Sequence, residues 1–349
     1  MDEGFGKPRG FNVWSLFYGS TASIVIATIV LFIISPLLAP GSLSWAALNG
    51  MLPFASVLAL VAIGQTLVIQ QRGFDLSVPG MISLAAVLVT WIPEGDDSRL
   101  WLGALAAVLI PALFGLLSGF VVARFEATSL IVTLAMNALL YGFVLWLTQG
   151  TPVGATDVLK TFTLERTFGL PNTMIIALVI IIVVAFITKR TTVGWRLTAI
   201  GVSPRASTVL GLRVKRYEML AYAAAGACYG AAGALLAGYV QTPNIFIGDP
   251  YLLPSIAAVV LGGTALSGGV ASIVASAIAA LFLTQLNQIV LAAGWPNSTQ
   301  YIVQSLVIII VVVIRETVYR LLSRRARRKI AGGGSAQPGP EREAMADAS

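Results

Sequence analysis

Ten times between residues 20 and 316 the chain runs apolar for about the length of a bilayer crossing. The runs fall at 20–39, 51–70, 76–92, 100–123, 128–148, 170–188, 217–240, 251–266, 270–293 and 300–316. A hydrocarbon core of ~30 Å takes about 20 helical residues. A membrane β-barrel would instead show segments of about ten residues alternating in polarity, and these runs do not alternate. Composition agrees: 57% of the 349 residues are hydrophobic and 11% charged, against roughly 25% charged in soluble domains. So few charges cannot cover an aqueous surface. The expected fold is an all-α polytopic membrane protein of about ten transmembrane helices, some of them broken or re-entrant.

Charge sorts the loops by side. Residues 189–216 carry Lys189, Arg190, Arg196, Arg205, Arg213, Lys215 and Arg216 with no acid, and 315–329 carry seven bases against Glu316. The positive-inside rule places both in the cytoplasm. With an internal N-terminus, ten crossings return the C-terminus inside. The acidic PEGDDSR (93–99) and the balanced 149–172 then fall outside, and ARFEA (123–127) inside. Dropping the short eighth run would set the two basic regions on opposite faces, so a broken helix is expected there.

The first run follows Lys7 and Arg9, as a signal peptide would, but its apolar part from Ala22 to Ala39 exceeds a usual signal core. A retained helix is expected. The organisation is then a cytoplasmic segment 1–19, a transmembrane domain 20–316, and a cytoplasmic tail 317–349, basic at first and disordered after it. A single cysteine, Cys228, permits no disulfide or cysteine metal site within one chain, and histidine is absent. No catalytic residue, metal, cofactor or nucleic-acid partner is expected.

RGFDLSVPGM (72–81) becomes the cytoplasmic turn between the second and third runs. Gly73 permits the reversal, Asp75 or Ser77 caps the next helix, and Pro79 sits in its first turn. GQTLVIQQRGFDLSVPGMISLAA (64–86), which contains this turn, resembles a stretch of the ribose-type sugar permeases of ATP-binding-cassette importers, within the branched-chain amino-acid and sugar permease superfamily. GWRLTAIGVSPRASTVLGLRV (194–214) is similar to the family's cytoplasmic loop. AGACYGAAGALLAG (225–238) resembles its small-residue helix, and AAVVLGGTALSGGVAS (257–272) its Gly-Gly-Thr-x-Leu-x-Gly-Gly element. The likeness runs from about Met51 to Arg315. Departures stand at Gln71-Arg72-Gly73, where the family commonly has glycines, and at Tyr141, where many relatives have arginine; the latter bears on solute choice.

The resemblance implies one membrane half of an importer in the bacterial inner membrane, with broken helices around a central path as in vitamin B12-type importers. It implies three partners: an ATPase on the cytoplasmic face, a periplasmic solute-binding protein, and a second permease subunit, identical or not. Membrane lipid surrounds the pair. No G-x-x-x-x-G-K-[ST] pattern occurs, so ATP hydrolysis belongs to another polypeptide. Residues 189–216 are the candidate coupling loop, with a short helix begun at Ser203-Pro204 and ended at Gly211. Gly194, Arg196, Gly201, Pro204, Arg205 and Gly211 carry this expectation; topology and headgroup contact are the plainer account of the bases.

Polar residues within the spans must face protein or water. Gln65, Thr66, Asn137, Tyr141, Thr264 and Ser267 are candidates for a solute pathway, with hydrogen bonding between helices as the alternative. Gly226, Gly230 and Gly233, and Gly115 with Gly119, suit close helix packing. Gly262, Gly263, Gly268 and Gly269 disfavour continuous helix and are expected at a gate beside the pathway. Two other readings stay open: a branched-chain amino-acid permease of the same superfamily, and an ion-coupled secondary transporter. Proton coupling is disfavoured because every Asp, Glu, Lys and Arg lies in a loop, tail or span end.

Overall fold

The computed structural model describes residues 20–296, 298–306, 309, 310 and 313. The N-terminal segment, most of the tenth run beyond Leu306 and the tail 317–349 lie outside them. Contacts divide the chain into two units after Gln304. In the second unit, residues 305, 306, 309, 310 and 313 are helical.

The elements of the first unit are α1 (Ser20–Leu38), α2 (Trp45–Gln70), α3 (Val78–Trp91), α4 (Leu100–Phe125), α5 (Ser129–Thr148), α6 (Asp157–Leu164), a hairpin of β1 (Arg166–Thr167) and β2 (Leu170–Pro171), α7 (Asn172–Arg190), α8 (Thr192–Val202), α9 (Pro204–Val209), α10 (Val214–Val240), α11 (Leu252–Leu261) and α12 (Ile273–Ala292). Seven of these, α1, α2, α4, α5, α7, α10 and α12, are long and apolar enough to cross a membrane. The chain is a multi-pass all-α membrane protein.

The loops gather at two ends. At one, Lys215 pairs with Glu126 at 3.6 Å, Arg72 reaches the end of α8, and Thr21 lies 3.2 Å from Ser272; this end holds the basic segment 189–216 and is called the basic end. At the other, Ala155 N–H donates to Gln241 O (2.7 Å), Val158 N–H to Asp97 (3.1 Å), and Arg166 lies over Trp45 at 5.4 Å. Asp96 caps a turn there by accepting from Ser98 N–H, and hydrogen bonding from the Ser98 side chain and amide holds its carboxyl below the usual range. Successive spans therefore alternate in direction, as the charge pattern predicts.

The core is α2 and α3, wrapped by α4, α10 and α12. From Ser56 to Gln70, and across Val78–Thr90, every residue is buried. In lipid no hydrophobic force draws helices together, so approach depends on small residues. The α4–α10 pair, the most extensive contact in the molecule, shows this. A Cβ on Gly119 would lie 2.8 Å from Met219 Cα, and one on Gly226 2.8 Å from Pro111 C. One on Gly230 would lie 3.0 Å from Val108 Cα, while Gly233 serves α3 by meeting Ala85 at 2.8 Å. The small-residue spacing read from the sequence is the seam of the fold.

Two crossings are incomplete as helices. α3 has 14 residues, about 21 Å at 1.5 Å per residue. α11 has 10, about 15 Å. Their N-termini meet inside the bundle: Gly248 N–H donates to Ser83 Oγ (3.2 Å), and a Cβ on Gly248 would sit 2.8 Å from Pro79 Cα. The short eighth run is thus a half-helix entered from the far end.

Candidate functional site: an extended crossing, a basic-end junction and a half-helix meeting point

The segment between α2 and α3 is longer in space than the tight turn expected from its sequence. Gly73 is buried against Tyr222, and the backbone then runs extended along α5. Unpaired amides inside a membrane cost several kcal/mol each. α5 meets this with polar side chains four apart on one face. Phe74 N–H donates to Ser129 Oγ (3.1 Å), Leu76 N–H to Thr133 Oγ1 (2.9 Å) and Gly80 N–H to Asn137 Oδ1 (2.8 Å). Asp75 is fully buried and accepts from Ser77 N–H at 2.9 Å and from the Ser77 hydroxyl. Neither Asp75 nor Ser77 caps an α3 amide as expected: Asp75 holds Ser77 just ahead of the helix, Ser77 makes no side-chain cap bond, and the cap on the first turn is Asn137, which takes Gly80 N–H. Gln65 Nε2 donates to Asp75 O at 2.6 Å, pinning the extended stretch to α2.

At the basic end three of the singled-out segments converge. Arg72, with φ +67°, donates through Nε to Gly201 O (2.8 Å) and through its terminal nitrogen to Val202 O. Gln71 Nε2 donates to Leu197 O (2.9 Å), and Gln70 Nε2 to Thr198 Oγ1 (3.1 Å). Gly269 N–H donates to Gln70 O at 2.9 Å. The end of α2 is thereby tied both to the last turn of α8 and to the glycine element after α11. Gly201 has no room for a side chain: its Cβ would lie 2.6 Å from Gly269 N. Gly268, at φ +85°, would carry a Cβ 2.8 Å from Gly201 O. Gly262 packs on the first turn of α12, 2.6 Å from Ser276 N by the same measure, and Gly263 turns the chain at φ +84°. All four glycines thus belong to the basic-end turn.

The segment after α7 folds as two helices, α8 and α9. The short helix begun at Ser203-Pro204 is present: Ser203 accepts from Ala206 N–H (3.3 Å), and Gly211 follows the helix at φ +78°. α8 is not legible from propensity, since Gly194 stands in its first turn and Gly201 in its last. Gly194 is required there because a Cβ would overlap the Thr188 backbone at the α7–α8 corner. Arg196 donates to Tyr217 Oη at 2.7 Å, joining α8 to α10. Arg205 is exposed on α9, and apolar side chains of the same segment are exposed too: Trp195 is 75%, Val209 88% and Leu210 77% exposed. Arg205 also lines a cleft of about 1060 Å³ together with Arg72, Arg213, Lys215 and Arg216, with Glu126 and Glu218 the acids.

The six pathway candidates separate. Gln65 and Thr66 are fully buried, Thr66 donating to Ser276 Oγ at 2.8 Å across to α12. Thr264 is buried and Ser267 exposed at the basic-end turn. Asn137 and Tyr141 lie half-buried on α5 beside the meeting point of α3 and α11. There Tyr141 donates to the Asp249 carboxylate. Asp249 precedes the eighth run in the sequence, in a loop; the structure carries it inward to the level of Tyr141. That corrects the expectation that no ionisable group lies within the span. Ser129, Thr133, Gln70 and the reach of Arg72 were also unassigned by sequence reasoning. The 129-133-137 spacing was the available signal for the first two; the others needed the tertiary contacts.

A family model described as the permease component of the branched-chain amino acid transport system matches residues 46–312. The ribose import permease protein RbsC of Escherichia coli K12 is 31% identical over 81% of this chain and 89% of its own length. The fructose import permease protein FruF of Bifidobacterium longum is 28% identical, over 82% and 85%. The L-arabinose transport system permease protein AraH of E. coli K12 is 28% identical, over 87% and 92%. No solved structure matches. With seven long spans and two half-helices among the described residues and a glycine-locked basic end, this chain belongs to the permease family of branched-chain amino-acid-type transport systems and is a transport subunit rather than an enzyme.

Proposed function

We propose that the chain is the membrane subunit of a bacterial ATP-binding-cassette importer that moves a sugar or polyol across the inner membrane. A periplasmic binding protein delivers the solute, a separate ATPase drives the cycle, and a second permease subunit completes the path. The basic end faces the cytoplasm, with both termini on that side. The sugar relatives support the solute class.

The observation that carries the mechanism is the junction at the basic end. The exposed apolar side chains of Trp195, Val209 and Leu210, flanked by Arg196 and Arg205, present a docking face for the ATPase. Exposed apolar groups rimmed by charge mark protein-interaction surfaces. A push on α8 is handed through Arg72, Gln71 and Gln70 to the end of α2, and through Gly269 to the turn after α11. Gly201 keeps α8 against this frame, Pro204 starts α9, and Gly211 at φ +78° turns the chain after it. α2 and α11 then carry the displacement to the half-helix meeting point, where Asn137 and Tyr141 border the solute route. Glycines 262, 263, 268 and 269 act as the hinge of the gate, so the gate is worked from its basic end.

Reconstitution tests this. Proteoliposomes holding the permease with its cognate ATPase and binding protein should accumulate labelled ribose, arabinose or fructose when ATP is inside. The permease alone, given a proton or sodium gradient, should accumulate none. Accumulation by the permease alone on an ion gradient would establish a secondary transporter instead.

A further inference from the structure

Asp249 stands in an unusual place for a carboxylate. Tyr141, to which it is hydrogen-bonded, is 12 residues from the start of α5 at Ser129 and 7 from its end at Thr148. At 1.5 Å per residue that is about 18 Å from the basic end and about 10 Å from the far end. The side chain is exposed on the surface of this subunit. Facing lipid at that depth an acid is costly, so such groups face a cavity or a protein partner and mark solute routes.

Its surroundings are built. Gly248 is buried, its amide donating to Ser83 Oγ (3.2 Å) and its Cα held against Pro79, which draws the loop into the bundle. The ring of Phe246, 51% exposed, lies 5.2 Å from the Tyr141 ring at 60°. Phe246 N–H is turned back onto Asn244 Oδ1 at 2.9 Å, which fixes the approach of the loop. A carboxylate held by a tyrosine hydroxyl, with an exposed aromatic face beside it, offers strong acceptors for hydroxyl protons and an apolar plane for the C–H face of a ring.

We propose that Asp249, Tyr141 and Phe246 form a solute-binding site in the pathway, selective for a neutral polyhydroxylated molecule. The solute donates hydroxyl protons to the carboxylate and lays its C–H face on Phe246, while anions are repelled. The proposal rests on the importer function above and adds to it the place and chemistry of solute contact.

The test uses the complete importer in proteoliposomes, with Asp249→Cys modified by a membrane-impermeant anionic thiol reagent. Buried Cys228 is replaced by alanine. Leu139→Cys, on an exposed apolar position of α5, is the lipid-facing control, and Ser98→Cys, in a far-end loop, the aqueous one. Cysteine at 249 should react within a few-fold of the rate at 98, and ribose at tens of millimolar should slow it several-fold. In parallel, Asp249→Asn should lower ATP-driven ribose uptake at least tenfold, with Asp249→Glu recovering part.

A cysteine at 249 as inert as that at 139 would overturn the proposal, as would unchanged uptake by Asp249→Asn. Failure of the wild-type importer to move any sugar with ATP would count against the importer function itself. Labelling of residue 249 reads water access independently of that result.

Discussion

Thr133 shows how much one hydroxyl carries in a chain whose solvent is lipid. It accepts from Leu76 N–H at 2.9 Å and donates to Ser129 O at 2.8 Å, so the Leu76 amide of the extended segment lies at membrane depth with a partner. Thr133→Val keeps the shape and removes the acceptor. Leaving a buried donor unpaired costs about 1–3 kcal/mol, so the variant should melt earlier in detergent, while Thr133→Ser should melt near wild type. Gly201 carries a different constraint. Alanine there sets a methyl 2.6 Å from Gly269 N, and overpacking costs about 1–3 kcal/mol. Gly201→Ala should insert normally yet fail to retain the ATPase on affinity purification. Gly142, whose Cβ would meet nothing within 4 Å, is the matched control, and Gly142→Ala should change neither readout.

Among the helices, α4 with α10 and the pair α8–α9 make separate demands. Gly226→Leu and Gly230→Leu should each force α4 from α10 and abolish a cooperative thermal transition, since the neighbours they meet are backbone. Val209→Asp with Leu210→Asp lies on an exposed face, so the transition should persist while ATPase binding is lost. The seam and the nine runs that lie within the described residues were legible in the sequence, because span length and small-residue spacing are local signals that lipid enforces. The convergence of residues 70–72 with 197–202 and 268–269 was not, since hydrogen bonds across such separations leave no periodic trace. Arg72 is the instructive case. In the sequence it stands only as a departure from the family pattern, whereas its guanidinium closes the end of α8. Asp249 misled for a related reason: it sits in a loop by sequence, and only the burial of Gly248 beneath Pro79 shows that the loop descends.

At the scale of the whole molecule, the proposed function assigns solute entry to the far end, the solute route to the half-helices and the uptake of work from a partner to the basic end. Each task falls on a different part of the chain, so the parts must be mechanically joined. The bonds from Arg72, Gln71 and Gln70 to α8, with Gly269 N–H to Gln70 O, make that joint. The most direct check is the number of solute molecules imported per ATP hydrolysed, measured in proteoliposomes for the wild-type complex and for Arg72→Ala at equal ATPase occupancy. A several-fold lower ratio, with ATP hydrolysis continuing, is the predicted result. An unchanged ratio would contradict transmission through this junction.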